Sequence, residues 1–423
     1  MKDLLGREEA VTVEKAISLL LEQPLKIPST ESTGIENAHG RVLSADVISP
    51  ENLPGFNRST MDGYAVNSTD TFGASDSMPA YLTVAGEVHM GTKPDFSLTR
   101  GEAGVIPTGG MLPDGADAVV MYEHTNRVGE DILEVMKAVA PNENVILADE
   151  DVKEGAVILR SGQRLRPQDI GALAGLGIVN IKVFKKPVVA IISTGDEVVP
   201  PDKKPLAAGE VRDINSCNLA GLIMRSGGIP LKKGIISDDF DLLRATVRES
   251  MQEAQMVLIS GGSSVGTRDY TSRVIDELGH PGILFHGVSI KPGKPLIGGM
   301  VNGIPLFGLP GHPAAVSVCF ETFIEPLLKR ISGEKRRKDL LPAKKTVRAF
   351  FGRNISSSTG REDHIRVALE LRDDGLWARP ILGKSGLIRT LVDADGTVII
   401  PLNKSGIYEG ETVEVIIFSE CPG

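Results

Sequence analysis

From Lys186 to Ile331 short apolar runs alternate with stretches of helical period, and that order admits few folds. Val188 to Ser193 is an apolar run that gives way to Thr194-Gly195-Asp196-Glu197. A helix follows over Ser216–Arg225, with Asn215 or Ser216 as its cap and Gly227 as its terminator. The next strand ends in Ile235-Ile236, before Ser237-Asp238-Asp239, and the helix after it carries Leu243, Val247, Met251 and Ala254 on one face. Met256 to Ile259 has strand length, and a helix then runs to Leu278. Ile283 to Ile290 and Ile304 to Phe307 are the remaining strands, and a long apolar helix ends near Ile331. Continuous apolar runs are strands buried on both faces, and helical crossovers between them make a parallel, doubly wound sheet over residues 187–331.

In such a sheet ligands bind beyond the carboxyl ends of the strands. Gly261 and Gly262 let the backbone turn tightly there and approach a ligand. Ser263, Ser264 and Gly266 keep the loop open, and Arg268 and Asp269 bring charge to it. Four loops, Thr194–Glu197, Ser237–Asp239, Gly261–Asp269 and Lys291–Lys294, share one rim and gather Glu197, Asp238 and Asp269 with Lys291 and Lys294. Carboxylates beside lysines and glycine turns suit a phosphate-bearing substrate with a bridging Mg²⁺. Taken singly, Asp238 and Asp239 also suit helix N-caps, and each lysine suits a solvated surface.

Outside this region the periods differ. Thr12 to Gln23 places Val13, Ala16, Ile17, Leu20 and Leu21 on one helical stripe. Short strands are expected around Arg41–Val47. Pro54 to Val66 reads as a turn-rich surface loop with an Asp62-Gly63 turn. Residues 80–140 read as β, with strands at Tyr81–Val84, Gly104–Ile106, Ala118–Met121 and Ile132–Val135. Pro107-Thr108-Gly109-Gly110 suits either a tight turn or a nest of N–H groups for an anion. A helix is expected over Pro167–Leu176, with Pro167 in its first position. Gly333 to Lys338 is a charged linker, after which the period returns to two: Val367, Leu369 and Leu371 on one face, a turn at Asp373-Asp374-Gly375, then Val398–Ile400 and Val413–Ile416. This last part is a small all-β unit.

A net charge of −9 argues against a general nucleic-acid or anionic-membrane surface, so an anionic substrate must be met by a local basic cluster. Cys217, Cys319 and Cys421 lack the spacing of a metal site or disulfide framework. The first residues do not read as a signal peptide and no apolar run nears 18 residues, which leads to the expectation of a cytoplasmic protein. Gly262-Ser263-Ser264-Val265-Gly266 fits the nucleophile elbow of an α/β serine hydrolase, with Ser264 as nucleophile and His312 or His364 as base. Against it, polar Thr267 to Asp269 intervene before the expected helix. Neither a P-loop nor a Rossmann fingerprint occurs.

Five motifs, in order, carry a resemblance: Pro54-Gly55-Phe56 with Ser59-x-Met61-Asp62-Gly63-Tyr64-Ala65; Ser193-Thr194-Gly195-Asp196-Glu197; Gly261-Gly262-x-Ser264-Val265-Gly266 with Asp269-Tyr270; Lys291-Pro292-Gly293-Lys294-Pro295; and Gly308-Leu309-Pro310-Gly311-x-Pro313. Together they resemble the molybdopterin molybdenumtransferases, the MoeA family, similar to the E domain of gephyrin. The resemblance runs from about residue 10 to 418. It implies an elongated segment of residues 1–50 and 142–185 bracketing a β-rich inserted domain at 51–141. An α/β molybdopterin-binding domain at 186–334 and a C-terminal β-barrel at 335–423 follow. It also implies a homodimer whose cleft lies between the last two domains of one subunit and the inserted domain of the other. Other molybdenum cofactor biosynthesis proteins are the implied partners.

The reaction so implied is the Mg²⁺-dependent insertion of molybdenum, from molybdate, into adenylylated molybdopterin with release of AMP. By motif position Asp62, Thr108, Glu197, Asp238 and Asp269 match the family's functional residues. Glu197 and Asp238 are expected to handle metal and pyrophosphate, Asp269 the pterin or the cation, and Lys291 the substrate phosphates. Lys294, Gly261, Gly262 and Ser264 complete the expected substrate contacts. Arg366 and Ser385 match positions suited to an oxyanion such as molybdate, since a guanidinium offers several fixed donors. One departure stands out: four residues before Lys291, where some members carry a basic residue, this chain has Gly287, with His286 beside it. His286 reads either as a substitute or as a core-facing strand residue. A scaffold of the gephyrin E type, binding peptide at a dimer surface, is the non-enzymatic alternative.

Overall fold

The computed structural model describes residues 10–261, 265–335 and 345–418, and of residues 265–269 only the backbone. Gly262, Ser264, Cys421 and the side chain of Asp269 lie outside the described residues.

The expected sheet is present, with strands in the order Ile229–Ile236, Val188–Thr194, Met256–Gly261, Ile304–Leu309, Ile297–Val301, Pro281–His286. The first four run parallel and the last two join antiparallel. Alternate residues of the central strand feed opposite cores. Met256 and Leu258 pack with Leu219, Ile223 and Phe320 on one face; Val257 and Ile259 pack with Val247, Val274 and Ile275 on the other. All of these are essentially excluded from solvent, each burial stabilising by about 2 kcal/mol. That two-sided burial is why the run reads as continuously apolar.

Four details correct the sequence reading. Ile283–Ile290 is not one strand: Pro281–His286 ends where Gly287 turns at φ 95°, and Ile290–Lys291 pairs instead with Glu362–Asp363 of the C-terminal unit. The strand Ile297–Val301 was not foreseen because Gly298 and Gly299 depress strand propensity. Asn215 does not cap its helix but begins it, and the Asp213 carboxylate accepts the Ser216 N–H at 3.0 Å. The last helix is interrupted by a π turn over Phe320–Ile324, next to Pro326, whose missing N–H breaks the regular ladder. The acidic pair after Ile236 is resolved: Asp239 is the cap, accepting from the Leu242 N–H at 2.8 Å.

The first helix, Val13–Leu21, starts at Thr12, which accepts the Lys15 N–H, and it buries Val13, Ala16 and Leu20. Strand Thr30–Gly34 pairs with Asn180–Phe184, and Val47–Ile48 with Val157–Leu159, so distant stretches of chain lie side by side. Between them sits a six-stranded sheet ordered Ala118–Met121, Gly63–Val66, Glu102–Ile106, Ala80–Glu87, Ile132–Val135, Thr125–Val128. Gly63–Val66 is therefore no surface loop but a wholly buried inner strand. Gly63 is required there, since a Cβ would stand 2.0 Å from the Val120 carbonyl oxygen.

The C-terminal strands close a five-stranded barrel, Glu362–Arg372, Gly375–Pro380, Thr346–Phe351, Thr412–Ile417, Gly396–Ile400 and back to the first. Val367, Val398 and Val415 fill it. Leu371, expected beside Val367, is 85% exposed because its strand runs past the barrel into the hairpin tip. The architecture is α/β plus β, multidomain, with a doubly wound mostly parallel sheet and a small β-barrel, as expected.

Candidate active site

The barrel meets the carboxyl edge of the α/β sheet, and two cavities open there. The larger, about 850 Å³, lies between the segments 290–295 and 310–315 on one side and barrel residues from Arg353 to Thr390 on the other. Its walls carry Lys291, Lys294, Arg353, Arg361, Arg366 and Lys384 against one carboxylate, Asp363. In a chain of net charge −9 this is the local basic cluster an anionic substrate needs. Asp363 is buried and holds two of the cations: Arg361 Nε donates to it at 2.8 Å, and Lys291 Nζ stands 3.8 Å away. Burial holds the Arg366 guanidinium below the ordinary arginine range, while Glu321 acts in the opposite sense. Arg366 Nη2 donates to the Ala314 carbonyl at 3.2 Å, tying barrel to sheet.

The second cavity, about 340 Å³, is lined by Ser193, Glu197, Asp213, Asn215, Ser260 and Gly261, among others. Asp213 accepts from Ser193 Oγ at 2.7 Å. Asn215 Nδ2 donates to the Gly311 carbonyl at 2.9 Å, whereas Asn215 Oδ1 and Ser260 Oγ are buried with no hydrogen-bond partner among the described residues. Buried polar atoms are nearly always satisfied, so orphans lining a cavity mark places for ligand atoms. Gly261, at φ 144°, closes against the neighbouring strand, where a Cβ would lie 1.9 Å from the Thr194 carbonyl oxygen. Gly311 and His312 line both cavities, and His312 Nδ1 is 2.7 Å from Ser385 Oγ.

The predicted residues divide accordingly. Lys291, Lys294, Arg366 and Ser385 surround the larger cavity; Glu197 and Gly261 line the smaller. Asp238 lines neither cavity; its N–H donates to Asp196 Oδ1 at 3.2 Å, next in sequence to Glu197. The expected rim is a long one: Asp238 and Lys291 follow the two outermost strands, whose carboxyl ends lie on one edge about 24 Å apart at five strand spacings. Asp62 and Thr108 are brought together, Thr108 N–H donating to Asp62 Oδ1 at 2.7 Å, but they line neither cavity. His286 is exposed, lines neither cavity, and so is not the core-facing residue considered above. Helix Val265–Leu278 takes in Thr267 to Asp269, which removes the polar interruption held against a nucleophile elbow; His312, however, is engaged with Ser385.

Sequence reasoning missed Asp213, Arg353, Arg361, Asp363 and Lys384, and it named Asn215 only as a helix cap and His312 only as a hydrolase base. Asp213 was findable as an acid just ahead of a helix. For Asp363 no such local signal exists, because Asp363 and Arg366, three residues apart, fall on opposite faces of a period-two strand. Among the described residues no three His, Cys, Asp or Glu side chains converge to cage a metal. Mg²⁺ usually needs only one or two carboxylates when substrate phosphates and water supply the rest, and Glu197 and Asp238, on neighbouring strand ends, fit that use.

The chain matches the MoeA N-terminal region (domain I and II) over residues 11–177 and the MoeA C-terminal region (domain IV) over 348–418. Residues 190–330 match the family described as "probable molybdopterin binding domain". It is 31% identical to the molybdopterin molybdenumtransferase of Haemophilus influenzae over 416 residues, 98% of this chain and 100% of that one. The chain belongs to the MoeA family. To the molybdopterin molybdenumtransferase of Nostoc it is 33% identical, over 96% of this chain and 93% of the other. A crystal structure of the molybdopterin biosynthesis MoeA protein from Pyrococcus horikoshii superposes with a TM-score of 0.81 at 32% identity, covering 97% of this chain and all of that one. Among the described residues of this MoeA-family chain, no helix is long and apolar enough to cross a membrane.

Proposed function

We propose that the chain acts in molybdenum cofactor biosynthesis as a molybdopterin molybdenumtransferase, inserting molybdenum from molybdate into adenylylated molybdopterin and releasing AMP. The observation that carries this reading is the pair of cavities sharing the Gly311–His312 wall, one strongly cationic and one lined by orphaned polar groups. A substrate with a heteroaromatic end and an anionic end suits that pair. Lys291, Lys294 and Arg366 bind negative charge in the larger cavity, and the buried guanidinium binds without reorganisation because Ala314 fixes it. Ser260 and Asn215 meet the polar edge of the pterin in the smaller cavity. Glu197 and Asp238 would hold Mg²⁺, which when bound neutralises phosphate charge and polarises the bond to the departing AMP. Asp269 and the Gly261-Gly262-x-Ser264 motif contribute to substrate binding by motif position.

The domain limits given above, a cytoplasmic location and a homodimer belong to the same proposal. Asp62 and Thr108, which line neither cavity, would serve the cleft of the second copy in that dimer, as their motif position implies. The test is AMP release from adenylylated molybdopterin by purified protein and Mg²⁺, with and without molybdate. Molybdate-dependent release is expected. Tight binding without release overturns the transferase reading in favour of a carrier or scaffold.

A further inference from the structure

The barrel strand Glu362–Arg372 turns two faces in opposite directions. Ile365 and Val367 point into the barrel core. His364 and Arg366 lie on the outer face, toward the α/β unit, and both line the larger cavity. Opposite Arg366 on the adjacent strand stands Thr397, and opposite His364 stands Ile399. An outer barrel face is ordinarily wet, yet His364 is 8%, Arg366 7% and Thr397 4% exposed, because the α/β unit and the chain end cover them. Phe418 lies 5.9 Å from the Arg366 guanidinium.

Two side chains flanking this buried cation are unsatisfied: His364 Nε2 and Thr397 Oγ1 have no hydrogen-bond partner among the described residues. Glu362 Oε2 is 3.6 Å from His364 Nε2, too far for a hydrogen bond. Each orphaned group costs stability, so an arrangement that keeps two of them beside a desolvated arginine is built for something that arrives later. His364 and Arg366 are two residues apart on one strand face, about 7 Å. Side chains rooted that close on one face, both lining the same cavity, can meet one small tetrahedral ion there.

We propose that His364 is a further oxyanion ligand of this enzyme: Nε2–H and the Arg366 guanidinium seat the tetrahedral oxyanion together, with the Thr397 hydroxyl as a third donor. This rests on the transferase reading and assigns two residues to its inorganic substrate. The stem of Arg366 and the barrel wall fix the seat, while Lys291 and Lys294 reach it from the α/β side.

The experiment uses the full chain with molybdate as titrant, followed by isothermal titration calorimetry, and binding of adenylylated molybdopterin in parallel. His364→Phe and Thr397→Val keep shape and remove the donor. Each is expected to weaken molybdate binding about tenfold, the loss of one hydrogen bond to a charged acceptor, and to leave binding of the pterin substrate unchanged. Their melting temperatures should stay level or rise, because a buried orphan has been replaced by an apolar group. His364→Gln, which retains a donor, should recover part of the affinity. Unchanged molybdate affinity in both isosteric variants, in a protein that still turns over, overturns this inference and leaves the transferase reading standing. A lowered melting temperature with unchanged affinity shows the two residues to be structural and overturns it as well. No molybdate binding by the wild-type chain overturns both.

Discussion

Asp363 sits where stability and ligand affinity pull in opposite directions. Its carboxylate is 2% exposed and neutralises Arg361 and Lys291 on the wall of the larger cavity. Asp363→Asn preserves shape but removes the charge. The loss of stability is limited, because Arg361 is 36% and Lys291 60% exposed and water screens both. Discounted for that screening, about 1–2 kcal/mol is expected rather than the cost of breaking a fully buried pair. An anion seated at Arg366 lies three residues along the strand, about 10 Å from the lost charge. At an effective dielectric of about 20–40, removing that repulsion is worth about 0.8–1.7 kcal/mol per unit charge on the anion, a gain in affinity of at least about fourfold at low ionic strength. The assay is calorimetric titration with molybdate at low and at high salt, beside thermal denaturation. The variant should melt lower, bind tighter, and lose its advantage as the Debye length shrinks. Equal or weaker binding at low salt would refute the claim that the cavity's charge balance sets anion affinity.

Other outcomes follow from the same geometry. If Asp62 serves the cleft of a second copy, neither Asp62→Ala nor Arg366→Ala alone is active, but re-assorting them into mixed dimers restores about a quarter of wild-type activity; a mixture as inactive as its components sinks the composite site. Gly63→Ala should destabilise the chain by about 3 kcal/mol or abolish soluble expression, because the new methyl meets the Val120 carbonyl at 2.0 Å; an unchanged melting curve would contradict it. The Asp169 carboxyl is held below the usual range, first by the Arg166 side chain, and it also accepts the Arg166 backbone N–H at 2.8 Å at the start of helix Pro167–Gly175. A depressed folded pKa gives stability that is present above the unfolded value of about 3.9 and is lost as pH falls through the folded one. Asp169→Asn should therefore cost about 1 kcal/mol near neutrality and progressively less below about pH 4; a pH-independent difference would refute the linkage.

Much of the fold was legible because burial is written along the chain with a fixed period. Val188–Thr194 and Met256–Gly261 had to be two-sided strands, since every residue from Met256 to Ile259 is apolar whichever face it takes. The same logic failed where glycine replaced the pattern. Ile297–Val301 and Gly63–Val66 are strands whose glycines admit a neighbouring phenylalanine ring and a neighbouring backbone, contacts that a linear reading does not contain. It failed again at Leu371, apolar and in register, yet carried past the barrel by the length of its strand.

For the site, local chemistry marked individual residues: Gly261 because the turn needs its backbone, Lys291, Lys294 and Arg366 because they are cations near turns or strand faces. Which of them act together was decided only by tertiary structure. The charge of Lys291 finds Asp363 because strand Ile290–Lys291 leaves its own sheet for the barrel, and His312 finds Ser385, 73 residues away, because the barrel closes onto the sheet edge. Period and propensity act between neighbours in sequence and can be read from it. The grouping of charges into one cationic cavity, and the burial of His364, Arg366 and Thr397 on what is topologically an outside face, arise from packing between units and exist only once the chain has folded.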